Sequence, residues 1–228
     1  MASYAMESMR ESLGAVLACT PKAAEHIRED EARTDHYEDI IGSYLVKLSA
    51  RKIGETDSAL AAEYLRLIGD FERIADHSVN ILESAEELKN KGISFSPAAR
   101  QEYQIMSAAV QEVTGLAYTA FVTGDIGAAR RIEPLEQVID DLKEELRTRH
   151  IRRMQQGTCG IEAGFIWSDL LTDLERVSDH CSNIACCIVE GIDHNLHRHE
   201  VLQSIRENSA SFDADYAAFQ EKYALAAE

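Results

Sequence analysis

Proline and glycine are scarce in this chain, three and twelve residues of 228. With so few chain-breaking residues, and Ala, Leu, Glu, Arg and Ile dominant, the composition favours helix through most of the length. Aromatic residues make up only 7%, a share that suits thin bundles with small residues at their contacts. No secretory signal opens the chain, because Glu7, Arg10, Glu11 and Lys22 interrupt its first apolar positions. Nowhere do 18 apolar residues run together, so no direct insertion into a membrane is expected. The five cysteines (Cys19, Cys159, Cys181, Cys186, Cys187) are odd in number and unevenly spaced. That pattern points to a reduced, cytosolic setting.

Positive charge is also in short supply. Lys and Arg total 23 against 40 Asp and Glu, for a net charge of −17. This argues against a nucleic-acid partner, which needs a basic footprint, and against adhesion to an anionic membrane surface. It suits cations or a basic patch on another protein. The sequence contains no glycine-rich phosphate loop and no recognisable nucleophile–histidine arrangement. No glutamate stands three residues before any of the eight histidines, so the Glu-x-x-His signature of carboxylate-bridged di-iron oxidases is missing. No enzymatic activity is expected.

What the chain does have is helical periodicity. Apolar residues are 45% of the total, and they recur at intervals of three and four with no sustained alternation. The spacing predicts a first helix over 3–25, with Met6, Met9, Leu13, Val16 and Leu17 on one side, and a second over 27–52. A third carries Leu60, Tyr64, Leu67, Phe71, Ile74, Ser78, Ile81, Ala85 and Leu88 as a continuous seam. Asn90-Lys91-Gly92 ends it, and Ser96-Pro97 starts a fourth over 97–123. A fifth over 125–156 has Ile132, Leu135, Ile139, Leu142 and Leu146 as its seam. A sixth carries Ala163, Trp167, Leu170, Leu174, Val177, Cys181, Ile184 and Ile188. A polar, partly helical tail follows.

One polar phrase occurs twice. DFERIADHSVNI runs from Asp70 to Ile81 and DLERVSDHCSNI from Asp173 to Ile184. Helix three and helix six thus close two copies of a three-helix unit. The expected architecture is all-α: two tandem antiparallel three-helix bundles over 1–93 and 94–192, then a polar tail over 193–228.

In helix three, Glu72, Asp76 and Asn80 are spaced i, i+4, i+8 and share a face away from the seam. Glu175, Asp179 and Asn183 repeat this in helix six. Further Glu-x-x-x-Asp pairs stand on helix two (Glu31, Asp35) and helix five (Glu136, Asp140). Each half could therefore offer four carboxylates from two neighbouring helices, a set of hard oxygens suited to Fe, Mn, Mg, Ca or Zn. The plainer alternative is a solvated face, or one paired with Arg73 and Arg176. His77 and His180, beside these acids, could ligate or orient. His194, His197 and His199 have ligand-like spacing but no second anchor, and Cys186 and Cys187 read as core filler.

ERIADHSVNI and ERVSDHCSNI, each closing a three-helix repeat, resemble the paired motif of the PhoU family of phosphate-uptake regulators. The stretch YLVKLSARKI and the polar tail are similar to the cytosolic region of bacterial sodium/phosphate cotransporters. The resemblance implies a non-catalytic regulator at the inner face of the cell membrane. Its partner would be a membrane phosphate transporter, in cis or in trans, or a sensor kinase, and a homodimer is compatible with it. It implies metal ions (Fe, Zn, Mn or Mg) on Glu31, Asp35, Glu72 and Asp76, and on Glu136, Asp140, Glu175 and Asp179. Ala75 and Ser178 stand where that family often has glycine. The competing reading is a metal-free adaptor whose acidic faces bind a basic partner surface.

Overall fold

A computed structural model describes residues 1–51, 53–192 and 209–226. Its described residues form seven helices: α1 (Ala2–Ala15), α2 (Pro21–Ser49), α3 (Glu55–Lys91), α4 (Pro97–Thr123), α5 (Ile126–Gln155), α6 (Ile161–Ile192) and α7 (Ser209–Lys222). The ends follow local chemistry. Thr20, Ser96 and Asp125 cap α2, α4 and α5, each side chain accepting from a backbone N–H three residues on. Gly92 and Gly124 close α3 and α4 in the left-handed conformation, with φ of 62° and 68°.

The first helix, expected over 3–25, ends early, and the second begins before its expected start. Thr20-Pro21 is the reason. Proline lacks the N–H that a helix interior needs, but its fixed φ suits a first turn, and Thr20 caps that turn. Accordingly α1 stops at Ala15 and α2 starts at Pro21.

The seam of α3 also differs from expectation at its start. Leu60 and Tyr64 are 46% and 42% exposed, whereas the seam residues from Leu67 to Leu88 are buried. α3 is 37 residues long, roughly 55 Å at about 1.5 Å per residue. Its first turns pack against the end of α2, through Ala61, Ile68 and Leu45. The seams of α5 and α6 are buried nearly throughout.

α1, α2 and α3 pack on one another, as do α4, α5 and α6, and α3 against α6 joins the two sets. One apolar cluster runs through this junction. It includes Met9, Phe71 and Ile74 from the first half and Val110, Ile139 and Trp167 from the second. The tail is less polar in effect than its composition suggests, since Phe219 and Tyr223 are buried in that same cluster and α7 lies along α5. His194, His197 and His199 lie outside the described residues. α4 is long and apolar enough to cross a membrane by length and composition, yet it packs Tyr103, Met106, Val110 and Val113 into the core.

Candidate functional site

The repeated phrase serves two faces at once. On the face where α3 meets α6, His77 Nδ1 lies 2.8 Å from Asp173 Oδ1, and His180 Nδ1 lies 2.9 Å from Asp70 Oδ1. Asn80 and Asn183 donate to the same two carboxylate oxygens, at 3.2 and 3.1 Å. The two imidazoles face each other with centroids 5.7 Å apart. Residues 70 and 180 meet at one level and 77 and 173 at the other, so the helices run antiparallel and the pattern has local two-fold symmetry. Asp70 and Asp173 are junction positions that the spacing argument does not find, although both stand at the head of the duplicated phrase. All four side chains are mostly shielded from water, so losing one partner costs about 1–3 kcal/mol. A double-mutant cycle with H77A and D173N should give a coupling of about 1–2 kcal/mol in urea unfolding; additive losses would show that the bond contributes nothing.

The other face carries the acids. In the first half, Glu31 is held above its ordinary range by burial and by the charges of Asp76 and Asp35. Glu72 is raised by burial and by Asp76, against the opposing charge of Arg73. Carboxylates of α2 and α3 therefore share one field, which Glu38 also joins. Arg73 lies within that group, 3.0 Å from Asp76 and 3.5 Å from Glu72, and is mostly exposed.

In the second half, Asp140 is raised by burial and by Glu175 and Asp179, and Asp179 by burial and by Glu175. Lys143 Nζ lies 2.9 Å from Glu175, and Arg176 is 3.7 Å from Asp179. Asp140 Oδ1 and Glu175 Oε2 are shielded from solvent without a hydrogen bond. Glu136 is half-buried one turn before Asp140. Among the described residues, no three His, Cys, Asp or Glu side chains close on one point as they stand. Arg176 spans Glu175 and Asp179 at 3.9 and 3.7 Å, as Arg73 spans the first-half pair at shorter range; what sets the second half apart for a hard cation is its two shielded carboxylate oxygens without hydrogen bonds.

A raised carboxyl favours its protonated form in the folded state. Stability from Asp140 and Asp179 is therefore greatest at acid pH, and falls as pH rises from the ordinary carboxylate range through their raised values. In metal-free protein, D140N and D179N should each stabilise at neutral pH, by at least the ~0.2–0.5 kcal/mol of a like-charge helix pair. The gain should vanish in urea titrations run below the ordinary carboxylate range. An equal gain under both conditions would contradict this electrostatic origin.

Another grouping has no spacing signal in the sequence. Cys159 Sγ lies 3.9 Å from His150 Nδ1, and burial followed by the Arg153 charge holds that imidazole towards its neutral form. A turn, not a helix face, brings the two together.

The PhoU domain model matches residues 1–85 and 103–188. The chain belongs to the PhoU family. It is 30% identical over 150 residues to the phosphate-specific transport system accessory protein PhoU homolog 1 of Thermotoga maritima, covering 66% of this chain and 63% of that protein. It is 24% identical over 202 residues to the putative inorganic phosphate export protein YjbB of Escherichia coli K12, covering 86% of this chain and 36% of that protein. The chain thus spans less than two thirds of either relative. The crystal structure of PhoU from Pseudomonas aeruginosa superposes with a TM-score of 0.79 at 21% identity, covering 86% of this chain and 93% of that one. This likeness concerns the fold.

Proposed function

We propose that this chain is a non-catalytic regulator of phosphate transport that acts through protein contacts, with metal ions on its duplicated acidic faces. The observation that carries the metal reading is the pair of solvent-shielded oxygens without hydrogen bonds on Asp140 and Glu175, beside the raised acid Asp179. Glu136, Asp140, Glu175 and Asp179 would hold an ion in the second half, and Glu31, Asp35, Glu72 and Asp76 in the first. A cation such as Fe, Zn, Mn or Mg supplies the positive charge that lets these carboxylates share a face. With their repulsion neutralised, the α2–α3 and α5–α6 faces stiffen and present a different docking surface.

The names of the relatives support a partner in a phosphate transport system. The match to 36% of an export protein supports a cytoplasmic chain working at the membrane, as the soluble part of a phosphate transporter. Tyr37, Ile40, Tyr44 and Tyr64 are exposed towards the end of the α2–α3 pair, near the first acidic group, and suit protein contacts.

The metal-free adaptor is the second reading, because Arg73, Lys143 and Arg176 already place positive groups among the acids. Phosphate uptake by cells tests the regulatory role, and melting with and without chelator separates the two readings. Cells lacking this coding sequence should lose the normal reduction of uptake at high phosphate. Bound metal and a melting midpoint lowered by EDTA favour the ion, whereas no bound metal and an unchanged midpoint favour the adaptor. Unchanged uptake in the deletion would contradict regulation altogether.

A further inference from the structure

A second group of ligating atoms lies away from the acidic faces. A cavity of about 400 Å³ opens where the end of α5, the 156–160 turn and the start of α6 meet the α3–α4 loop, lined in part by Phe95, His150, Cys159 and Ile161. Met154 stands one turn after His150 on α5, and Gly157 turns the chain back in the left-handed conformation, with φ of 69°. That turn brings Cys159 Sγ to 3.9 and 4.0 Å from the two ring nitrogens of His150. A Cβ at Gly164 would lie 2.9 Å from His150 Nε2 and 3.1 Å from Met154 Sδ. Imidazole and thioether therefore flank one small space at the start of α6.

The imidazole is the informative member. His150 is only 7% exposed, yet its one hydrogen-bond partner among the described residues is the Cys159 sulfur. At 3.9–4.0 Å a thiol is a weak partner, so a buried ring is left short of its ordinary bonds. Held towards its neutral form by burial, it keeps a lone pair for an ion. Thiolate, imidazole and thioether are a soft set, unlike the hard oxygens of the acidic faces. Bonds of roughly 2.0–2.3 Å to one ion hold sulfur and nitrogen about 3.5 Å apart, so a small side-chain rotation closes the gap. Charge narrows the choice of ion further. One thiolate neutralises a monovalent cation, which then adds no net charge beside apolar Phe95 and Ile161. Arg153 on the same wall is already neutralised by Glu102, with Nη1 at 2.8 Å and Nη2 at 2.7 Å from its oxygens.

We propose that Cys159, His150 and Met154 bind a soft monovalent metal ion, Cu(I), at the turn between α5 and α6. The thiol gives up its proton to solvent as the ion binds, while the imidazole and thioether bind without a change of charge. The site is separate from the acidic faces, and the inference rests neither on the metal reading there nor on the regulatory one.

Titration of the whole chain with Cu(I) in oxygen-free buffer, against bathocuproine disulfonate as competing chelator, tests it. EDTA in the buffer keeps hard cations off the acidic faces. One ion per chain should be held, and Trp167 fluorescence should be quenched on binding, since its ring lies 6.1 Å from that of His150. Affinity should fall about tenfold or more in C159S and in M154L. It should stay unchanged in C19S, which removes the other partly exposed cysteine among the described residues. Excess Zn(II), added without EDTA, should not displace the copper. Cys159 and Met154 are both only partly buried, and circular dichroism checks that their variants are folded. No copper held against the chelator, unchanged affinity in C159S or M154L, an equal loss in C19S, or displacement by Zn(II) would overturn the proposal.

Discussion

Phe71→Ala should lower stability by about 3–5 kcal/mol, in a single transition reported alike from both halves. Phe71 is 1% exposed and meets Phe121 of α4 edge-on, with centroids 4.9 Å apart. The first half thus places one of its largest side chains against the second. Truncation would leave a void at the junction that neither set of three helices can close alone. For a chain of this length, each kcal/mol moves the melting midpoint by about 2–4 °C, so a drop on the order of 10 °C follows. Trp167, the sole tryptophan, lies in the second half and is 1% exposed. Its fluorescence midpoint should fall together with the far-ultraviolet circular dichroism. A tryptophan midpoint left in place while part of the dichroism shifts would show two independently folding halves.

Metal loading should produce the other large shift. A cation present at about 100 times its dissociation constant adds about 2.7 kcal/mol to the folded state. That corresponds to a rise of about 5–10 °C in melting midpoint, reversed by EDTA. The rise should be largest with the second-half acids intact and should be clearly reduced in D140N/D179N, which leaves only the first-half acids. These variants have the opposite effect on metal-free protein, because removing a raised, mutually repelling carboxyl relieves the folded state. Stabilisation without metal and a reduced metal response in the same variant would be hard to produce by a change in packing. A rise of equal size in D140N/D179N would place the ion elsewhere.

Much of the helical plan is legible in the sequence because it repeats at short range. The seams of α5 and α6, the Ser96-Pro97 start and the Gly92 stop follow from periodicity and capping. The break at Thr20-Pro21 is written there too, but apolar residues continue on either side of it at compatible spacing and mask it. The exposed start of α3 is not legible, since a seam reveals which side is apolar and not whether another helix arrives to cover it.

The same distinction governs the sites. Glu72, Asp76, Glu175 and Asp179 can be placed on a non-core face by i, i+4 spacing alone. The junction formed by Asp70, His77, Asp173 and His180 cannot, because it depends on which way α3 and α6 run past each other. No motif marks Lys143, yet its ammonium reaches Glu175 at 2.9 Å.

The most direct test of the central claim is the metal content of protein purified without chelator, measured by inductively coupled plasma mass spectrometry beside an E175Q/D179N variant. At least one transition-metal or magnesium ion per chain in the native protein, and a clear loss in the variant, is the expected result. Metal-free native protein that also gains no stability from added Fe, Zn, Mn or Mg would contradict it.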